Sequence, residues 1–553
     1  MTGIRFTAIL AIMILPQESA PKGEPADRIF INAKGYSGDP STPSFDTIAV
    51  KNGRILSIAT GVVLTAFKGP KTEIIDLKGA YMYPGFIDAH AHFGGLGRFK
   101  RQLDARATKS FDELVALAKE RAARAAPREW ILGGRWDQAS WGMKEFPTHH
   151  KLSEAVPDVP VLLSRVDGHA ALANRKAMEL ARITRDTPDP PGGDILRDAN
   201  GDATGIFVDN ATDLFKLAIP PRAVPPETSA LEAQEACLKV GLVGVHDMGV
   251  STEEVDAYKR LAGAGKLKIR LYLALSDSSR LAETLATRKP EVGERVTVRA
   301  VKLYQDGAMG SRGALLLEPY SDKPVNDKGE PNVGLRVGDV AHLKEVAAAA
   351  AKHGWQVCVH AIGDRANREV LDAFEAAGAK EARFRIEHAQ CIHLADIPRF
   401  AKLGVIASMQ PTHCTSDMRW AEDRVGKERA KGCYAWRRLL DSGARLAGGS
   451  DFPVEDENPL LGFIAAVTRQ DLEGKPAGGW QPDQKLTREE ALKLLTLDAA
   501  YAAFEENVRG TLAPGKYADF VILSGDLLKT PDAELQKLRV LQTVIGGETV
   551  YSR

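Results

Sequence analysis

Residues 85–93 read GFIDAHAHF, an apolar segment that contains two histidines, His90 and His92. Its length and composition predict a buried β-strand. Because side chains i and i+2 of a strand point to the same side, both imidazoles face in one direction. Two adjacent imidazoles are suitable ligands for a metal ion such as zinc. A pair of hydrogen-bonded structural histidines is the alternative, and this stretch alone does not decide between the two.

Short apolar segments of the same kind recur along the chain and alternate with helical stretches. This alternation indicates parallel βα units, and eight such units predict a (β/α)8 TIM barrel. A doubly wound open sheet is the structural alternative, but no GxGxxG motif follows an early strand. The eight predicted strands are residues 85–92, 242–247, 269–275, 298–305, 355–361, 383–388, 404–410 and 445–451.

The connection between the first and second predicted strands is about 150 residues long, which is far more than an ordinary βα loop. We interpret residues 94–240 as an inserted subdomain within a barrel of residues 84–504. An insertion after strand 1 emerges at the C-terminal face of the barrel, where barrel active sites lie. It is therefore a candidate lid or pocket wall, and a packing decoration is the alternative.

The two ends of the chain share a different pattern of short strands. Residues 28–83 mix β-branched and polar residues, with a hairpin signal at Lys51, Asn52, Gly53 and Arg54. Residues 505–553 have the same character. Neither end is long enough to bury a good core alone, so we expect both to form one small β-sandwich domain.

The N-terminal residues 1–20, MTGIRFTAILAIMILPQESA, predict a signal peptide. The apolar run from residue 6 to residue 15 is too short for a membrane span, which needs about 20 residues. We therefore expect export to the periplasm or the medium, with no stable membrane anchor after signal cleavage. A mildly apolar, frayed N-terminus is the alternative.

The overall composition gives further limits. Lys plus Arg and Asp plus Glu number 73 each, so no net charge favours nucleic acid as a partner. The five cysteines are scattered and form no CxxC pair, which predicts buried free thiols. The sequence carries no signal for an oligomeric state.

Other residue types that bind metals fall at the same ends of later predicted strands. His360, His388 and Asp451 end strands 5, 6 and 8, while Lys302 lies inside strand 4. A bare ammonium pointing into a barrel is costly to bury. It becomes a metal ligand if its amine reacts with carbon dioxide to give a carbamate, whose two oxygens can bridge two metals.

In order and strand placement, these residues resemble the binuclear pattern of the amidohydrolase superfamily. The segments VKLYQDGAMGSRGA, VHAIGDRA, IEHAQ and GSDFPV resemble amidohydrolase family 3 more narrowly, the branch that includes N-substituted formamide deformylase. The late GTLAPGKYADFVIL also resembles a superfamily motif. The resemblance extends from about residue 29 to residue 551.

The resemblance implies a centre of two divalent metal ions, most simply two Zn²⁺. His90, His92 and Asp451 hold the more buried ion in this scheme, and His360 and His388 hold the other. Lys302, as a carbamate, bridges both. A metal-bridging hydroxide then attacks an amide, N-formyl or cyclic amide carbonyl of a small-molecule substrate, with Asp451 as general acid and base.

Two alternative functions remain, and four further residues are candidates for the site. A mononuclear deaminase of this superfamily usually carries a glutamate three residues after the strand-5 histidine, but that position is Gly363 here. A non-catalytic metal-binding protein on the same fold is the other alternative.

The candidates for substrate contacts or for support of the metal ligands are Asp306, Arg312, Arg365 and His169, each weighed against an ordinary structural role.

Overall fold

The computed structural model describes residues 24–61, 64–126, 128–220, 224–326, 329–378 and 380–553. The predicted signal peptide of residues 1–20 lies outside the described residues. Within these ranges, no helix has both the length and the apolar character that crossing a bilayer requires.

The centre of the molecule is an eight-stranded parallel sheet whose strands pair in chain order. Just beyond the last strand, two backbone hydrogen bonds connect the chain to the end of the first strand, from Asp451 N to His90 O (2.7 Å) and from His92 N to Phe452 O (2.8 Å). The strands are buried almost throughout because helices cover them, as the predicted TIM barrel requires. We number these barrel strands 1 to 8: Phe86–Ala91, Leu242–Val250, Arg270–Ser276, Val296–Tyr304, Gln356–Ala361, Arg385–His388, Ile406–Met409 and Arg445–Gly448.

Several helices after barrel strand 1 begin with a side-chain N-cap. In the helix Thr252–Gly263, for example, Ser251 and Glu254 form a reciprocal capping box at the N-terminus. The α-helices from barrel strand 2 onward are Thr252–Gly263, Leu281–Thr287, Val340–His353, Asp364–Ala377, Ile397–Leu403, Pro411–Asp417, Ala421–Ala430, Trp436–Asp441, Pro459–Thr468, Arg488–Leu494 and Leu497–Ala502. The 3₁₀ helices of the whole described chain are Leu64–Phe67, Asn210–Phe215, Lys380–Ala382, Leu394–Asp396, Pro482–Gln484 and Asp532–Lys537.

A separate six-stranded sheet lies between barrel strands 1 and 2, as the predicted insertion requires. Its own apolar core includes Trp136, Leu163 and Leu172. In spatial order, its strands are Gly193–Arg197, Ala203–Asp209, Ala170–Ala173, Val161–Arg165, Ile131–Trp136 and Leu103–Asp104. The α-helices of this part of the chain are Phe93–Phe99, Phe111–Ala122, His150–Ala155, Arg175–Leu180 and Pro226–Lys239.

Two further sheets form the predicted β-sandwich from both chain ends. The hairpin signal is confirmed, since Asn52 and Gly53 adopt φ of 48° and 75° between paired Lys51 and Arg54. The first sheet contains Arg54–Ala59, Thr47–Lys51, Arg28–Ile31 and Glu73–Asp76. The second contains Glu548–Ser552, Val540–Ile545, Phe520–Leu523, Tyr81–Pro84, Lys34–Tyr36 and Ser44–Phe45. The chain ends meet where Tyr81–Pro84 pairs antiparallel with Phe520–Leu523.

The expectation of five free thiols is wrong. Cys391 and Cys433 form a disulfide, whereas Cys237, Cys358 and Cys414 are free and buried. The two bonded residues are 42 positions apart and meet in an isolated β-bridge. Their pairing depends on tertiary structure that cysteine spacing does not contain.

Candidate metal centre

The ends of barrel strands 1 and 8 are held together by Asp88. Its carboxylate accepts hydrogen bonds from His90 N (3.0 Å) and from Ser450 N and Oγ (3.1 and 2.6 Å). A Cβ atom on Gly449 would lie only 2.5 Å from His90 N, so glycine permits this close approach. The Asp88 side chain and the close approach at Gly449 therefore hold His90 next to Asp451.

Four of the predicted ligands converge at the C-terminal ends of the barrel strands. The ligand atoms of His90, His388 and Asp451 all lie within 4.8 Å of one another. Asp451 Oδ1 is 3.4 Å from His90 Nε2 and 3.1 Å from His92 Nε2. His360 adjoins this group, with its ring centroid 4.6 Å from that of His388. The strand-end placement inferred from sequence thus brings these side chains into one cluster.

The Nδ1 atoms of three histidines are held by groups around the cluster. His90 Nδ1 lies 2.5 Å from Glu387 Oε2, and His388 Nδ1 lies 2.8 Å from Gln410 Oε1. His92 Nδ1 lies 2.9 Å from the carbonyl oxygen of Met248. Such contacts fix the ring orientation and leave each Nε2 for the interior of the cluster.

The protonation of three of the histidines suits metal coordination, which needs neutral imidazole. Burial lowers the pKa of His92, and it lowers the pKa of His360 and His388 well below the ordinary value. These rings therefore offer lone pairs near neutral pH. His90 differs: burial and Lys302 oppose its protonation, but the charges of Glu387 and Asp451 raise its pKa overall.

Buried atoms without hydrogen bonds support the same chemistry. His90 Nε2 and Asp451 Oδ1 are buried and lack a hydrogen-bond partner among the described residues. A buried polar atom without a partner is costly, and a coordinated cation would satisfy both atoms. The donor set of imidazole nitrogens and a carboxylate oxygen fits a divalent metal such as zinc.

Two of these residues adopt unusual backbone conformations. His388 has φ of 73° and Asp451 has φ of 60°, in the left-handed region that residues with side chains seldom adopt. Each such conformation costs about 1–3 kcal/mol and persists where the surroundings impose it. Successive side chains of a strand normally point to opposite faces, but Glu387 and His388 both contact His90. The positive φ at His388 permits this.

Lys302 is buried in barrel strand 4, with 1% of its surface exposed. Its Nζ atom lies 4.4 Å from the ring centroid of Tyr304, which stacks in turn near His360. No carboxylate among the described side chains comes within 4.0 Å of this amine. Lys302 is therefore a buried amine at the edge of the histidine cluster, without an anionic partner.

A cavity of about 520 Å³ opens above the cluster. His360, His388 and Asp451 form part of its wall on the barrel side. The insertion supplies the opposite part, including Arg135 and Arg165. Residues of the insertion therefore form part of the cavity wall in front of the candidate ligands, as expected for an insertion after barrel strand 1.

Two of the secondary candidates also lie near the cluster. His169 lines the cavity, its Nδ1 lies 2.6 Å from Asp209 Oδ1, and its ring centroid is 4.8 Å from that of His360. Asp306 is fully buried, and its carboxylate accepts backbone hydrogen bonds from Leu315, Ile362 and Gly363. Asp306 thus joins the loops after barrel strands 4 and 5.

The structure does not bring Arg312 and Arg365 to the cavity. Arg312 pairs with Asp322 at 3.0 Å, and Arg365 pairs with Glu369 one helical turn away at 3.1 Å. Neither side chain is part of the cavity wall. Both guanidinium groups therefore form ion pairs outside the cavity wall, and a substrate contact for either arginine stays a prediction.

Several residues near the cluster were not identified from sequence. For Glu387, beside His90, the sequence does carry a signal. Arg385 and Glu387 are opposite charges two residues apart in a buried strand, so both side chains point to the same side. Their Arg385 Nε to Glu387 Oε1 contact is 2.7 Å. His413 lies in the helix Pro411–Asp417 after barrel strand 7, with Nε2 3.8 Å from Asp451 Oδ2. Its helical context carried no comparable signal.

The chain is similar to known proteins over most of its length. The model of the amidohydrolase family matches residues 73–551. A putative amidohydrolase, YtcJ, of Bacillus subtilis is 37% identical over 88% of this chain and 92% of its own length. N-substituted formamide deformylase of Arthrobacter pascens is 27% identical over 95% of this chain and 98% of its own length.

A solved structure is also similar over most of the chain. An uncharacterized metal-dependent hydrolase from Pyrococcus horikoshii has a TM-score of 0.73 and 31% sequence identity. The similarity covers 91% of this chain and 99% of that chain. The fold, with its additional domain, is therefore shared as a whole.

Proposed function

The chain belongs to the amidohydrolase family, and on that premise we propose that it hydrolyses a non-peptide C–N bond in a small molecule. The substrate classes are amides, N-formyl amines and cyclic amides. The observation that carries the proposal is the convergence of Asp451 with His90, His92 and His388 at the base of a cavity. The similarity to a named formamide deformylase supports the N-formyl class in particular.

The proposed cofactors are two divalent ions, most simply Zn²⁺. The residues that would hold them are His90, His92, Lys302, His360, His388 and Asp451. Lys302 would do so as a carbamate, which would replace a buried, unpaired ammonium by an anion. When bound, such ions polarise a carbonyl group and lower the pKa of water.

The side chains of the protein supply orientation and proton transfer. Asp451 lies between His90 and His92, with Oδ1 unsatisfied among the described residues. In the proposed reaction, Asp451 accepts a proton from the attacking water and passes one to the leaving nitrogen. Glu387 holds the His90 ring in place, and the cavity wall orients the amide for attack.

The N-terminal apolar run supports a further proposal, that the protein is exported to the periplasm or the medium. The Cys391–Cys433 disulfide supports the same location, since disulfides persist in oxidising compartments. Fractionation of cells that express the full chain tests this. A protein retained in the cytoplasm with an intact N-terminus would contradict export.

Hydrolysis is tested with metal-loaded full-length protein and a panel of N-formyl amines, N-acyl amino acids and cyclic amides. We expect release of amine or ring opening, loss of the activity on chelation, and recovery when Zn²⁺ is added back. Retention of full activity after the metal has been removed would contradict the proposal. Ammonia release from nucleobases without amide hydrolysis would indicate a deaminase instead.

A further inference from the structure

A short segment of the insertion, LGGRW, turns one arginine into the cavity. Gly133, Gly134 and Arg135 adopt φ of 122°, 115° and 67° in succession. The strand register shifts between Gly134 and Trp136, as in a β-bulge. A bulge redirects a side chain, and here Trp136 is buried in the insertion core while Arg135 reaches the cavity wall.

The two glycines have a steric role in this arrangement. A Cβ atom at Gly133 would lie 2.3 Å from Leu103 O, and one at Gly134 would lie 2.4 Å from Ser164 O. Neighbouring strands therefore pack directly against the glycine backbone. Arg135 alone of the three bears a side chain, in a strained conformation that the bulge imposes.

Arg135 differs from the other arginines of the cavity wall in its partners. Arg106 makes paired contacts with Asp104, and Arg165 contacts both Asp137 and Asp167. Arg419 is half exposed, with Asp137 at 3.8 Å. For Arg135, no carboxylate of the described residues lies within 4.0 Å.

The contacts of Arg135 are weak, and none of them is an ion pair with a carboxylate of the described residues. Nη1 donates to the carbonyl oxygen of Val166 at 3.3 Å, and the guanidinium lies 5.3 Å from the Phe99 ring centroid. Burial lowers the pKa of Arg135 to about 10, and the charge of Asp451 opposes this shift. The side chain is still cationic at neutral pH, and a partly buried cation without a carboxylate in contact is costly.

We propose that Arg135 binds a carboxylate of the substrate, so that the preferred amides carry one negative charge, as N-acyl or N-formyl amino acids do. This rests on the proposed hydrolysis at the metal centre and deepens it. A single unpaired guanidinium matches one carboxylate, and its planar fork can bind both oxygens. The rest of the substrate would contact apolar parts of the wall, such as Met309 and Trp420.

Three ligands that are not hydrolysed separate binding from catalysis. The first is N-methanesulfonyl-phenylalanine, which carries a carboxylate. The second, N-methanesulfonyl-phenethylamine, lacks the carboxylate, and the third carries a phosphonate in its place. Calorimetric titration of the metal-loaded full chain measures each dissociation constant. We expect the carboxylate to bind about 10- to 100-fold more tightly than the neutral ligand.

The variants assign that preference to a residue. Arg135→Gln is expected to lose it, and Arg135→Lys to keep part of it, because lysine keeps the charge without the planar fork. Arg419→Gln removes the same charge from the same wall and is expected to keep the preference within about threefold, because Arg419 is exposed to solvent. Far-ultraviolet circular dichroism verifies that each variant is folded.

The remaining outcomes are decisive. Equal preference in wild type and Arg135→Gln, or no preference in wild type, overturns the proposal. Tighter binding of the phosphonate than of the carboxylate overturns the assignment of the anion. Hydrolysis of N-formyl-phenethylamine without any carboxylate preference leaves the proposed function intact and removes only this inference. A carboxylate preference that depends on Arg135, without hydrolysis of any amide, supports this inference and contradicts the proposed function.

Discussion

His90 and Glu387 form a buried pair, with 2.5 Å between Nδ1 of the imidazole and Oε2 of the carboxylate. Glu387 is also held by Arg385. This pair orients His90 so that Nε2 faces Asp451, 3.4 Å away. One end of barrel strand 6 therefore sets the geometry of a ligand on barrel strand 1.

The first prediction concerns this pair. Glu387→Gln removes the charge that orients His90, so we expect metal affinity to fall about 10- to 100-fold. Metal content per folded chain, measured after dialysis against a weak chelator, checks this. Glu369→Gln is the matched control, because Glu369 also pairs with arginines but lies away from His90. Equal metal retention in both variants would contradict a supporting role for Glu387.

The second prediction concerns proton transfer. Asp451→Asn keeps the shape of the side chain but removes its basicity, so we expect kcat to fall at least about 100-fold. Asp112→Asn, which changes an exposed carboxylate outside the cavity wall, is the control and should remain within about threefold of wild type. Steady-state kinetics with an amide substrate measures both. An active Asp451→Asn enzyme would remove the proposed general acid and base.

The third prediction concerns the buried amine. Lys302→Ala removes the proposed carbamate, so we expect bound metal to fall from about two ions per chain to one or fewer, with loss of hydrolysis. Elemental analysis gives the metal content. Lys100→Ala, which breaks an ion pair with Glu457, is the control. Unchanged metal content and activity in Lys302→Ala would exclude a bridging carbamate.

The fourth prediction concerns the pH dependence of stability. Burial, with a contribution from Glu254, raises the pKa of Asp247 from 3.8 to about 7. A carboxyl group with a raised folded-state pKa binds more protons when folded, so its contribution to stability is lost as pH rises through 7. Asp247→Asn lacks this titration. Its stability relative to wild type should therefore increase by about 2 kcal/mol between pH 5 and pH 8.

Denaturant unfolding of wild type and Asp247→Asn at the two pH values measures this difference. Asp112→Asn changes an exposed carboxylate and serves as the control. A stability difference between wild type and Asp247→Asn that is the same at pH 5 and pH 8 would show that Asp247 does not titrate in this window.

The fifth prediction concerns the cysteines. Protein isolated from an oxidising compartment and denatured without reductant should react with a thiol reagent at Cys237, Cys358 and Cys414 alone. After reduction, all five cysteines should react. Mass spectrometry of the alkylated peptides counts them. Five reactive thiols before reduction would contradict the Cys391–Cys433 bond.

The barrel and most of its candidate ligands could be predicted because their signals are local. Barrel strands are apolar segments, and His360, His388 and Asp451 stand out at or just beyond the ends of their strands. The hairpin at Asn52 and Gly53 is local as well. In each case the pattern that places the residue lies within the few residues around it.

Other features depend on contacts between distant segments, which a single sequence does not reveal. The approach of Cys391 to Cys433 is one such feature. The direction of Arg135 depends on a bulge in the insertion, where close strand packing requires glycine at two positions. A Gly-Gly pair in a strand indicates such a site but not what the next side chain faces.

We propose that the histidine cluster binds the metal ions of an amide hydrolase. Anomalous X-ray diffraction at the zinc edge, from crystals of the zinc-loaded active protein, locates those ions. We expect two peaks, one at His90, His92 and Asp451 and one at His360 and His388. Protein that hydrolyses amides but shows no peak at these side chains would contradict the proposal.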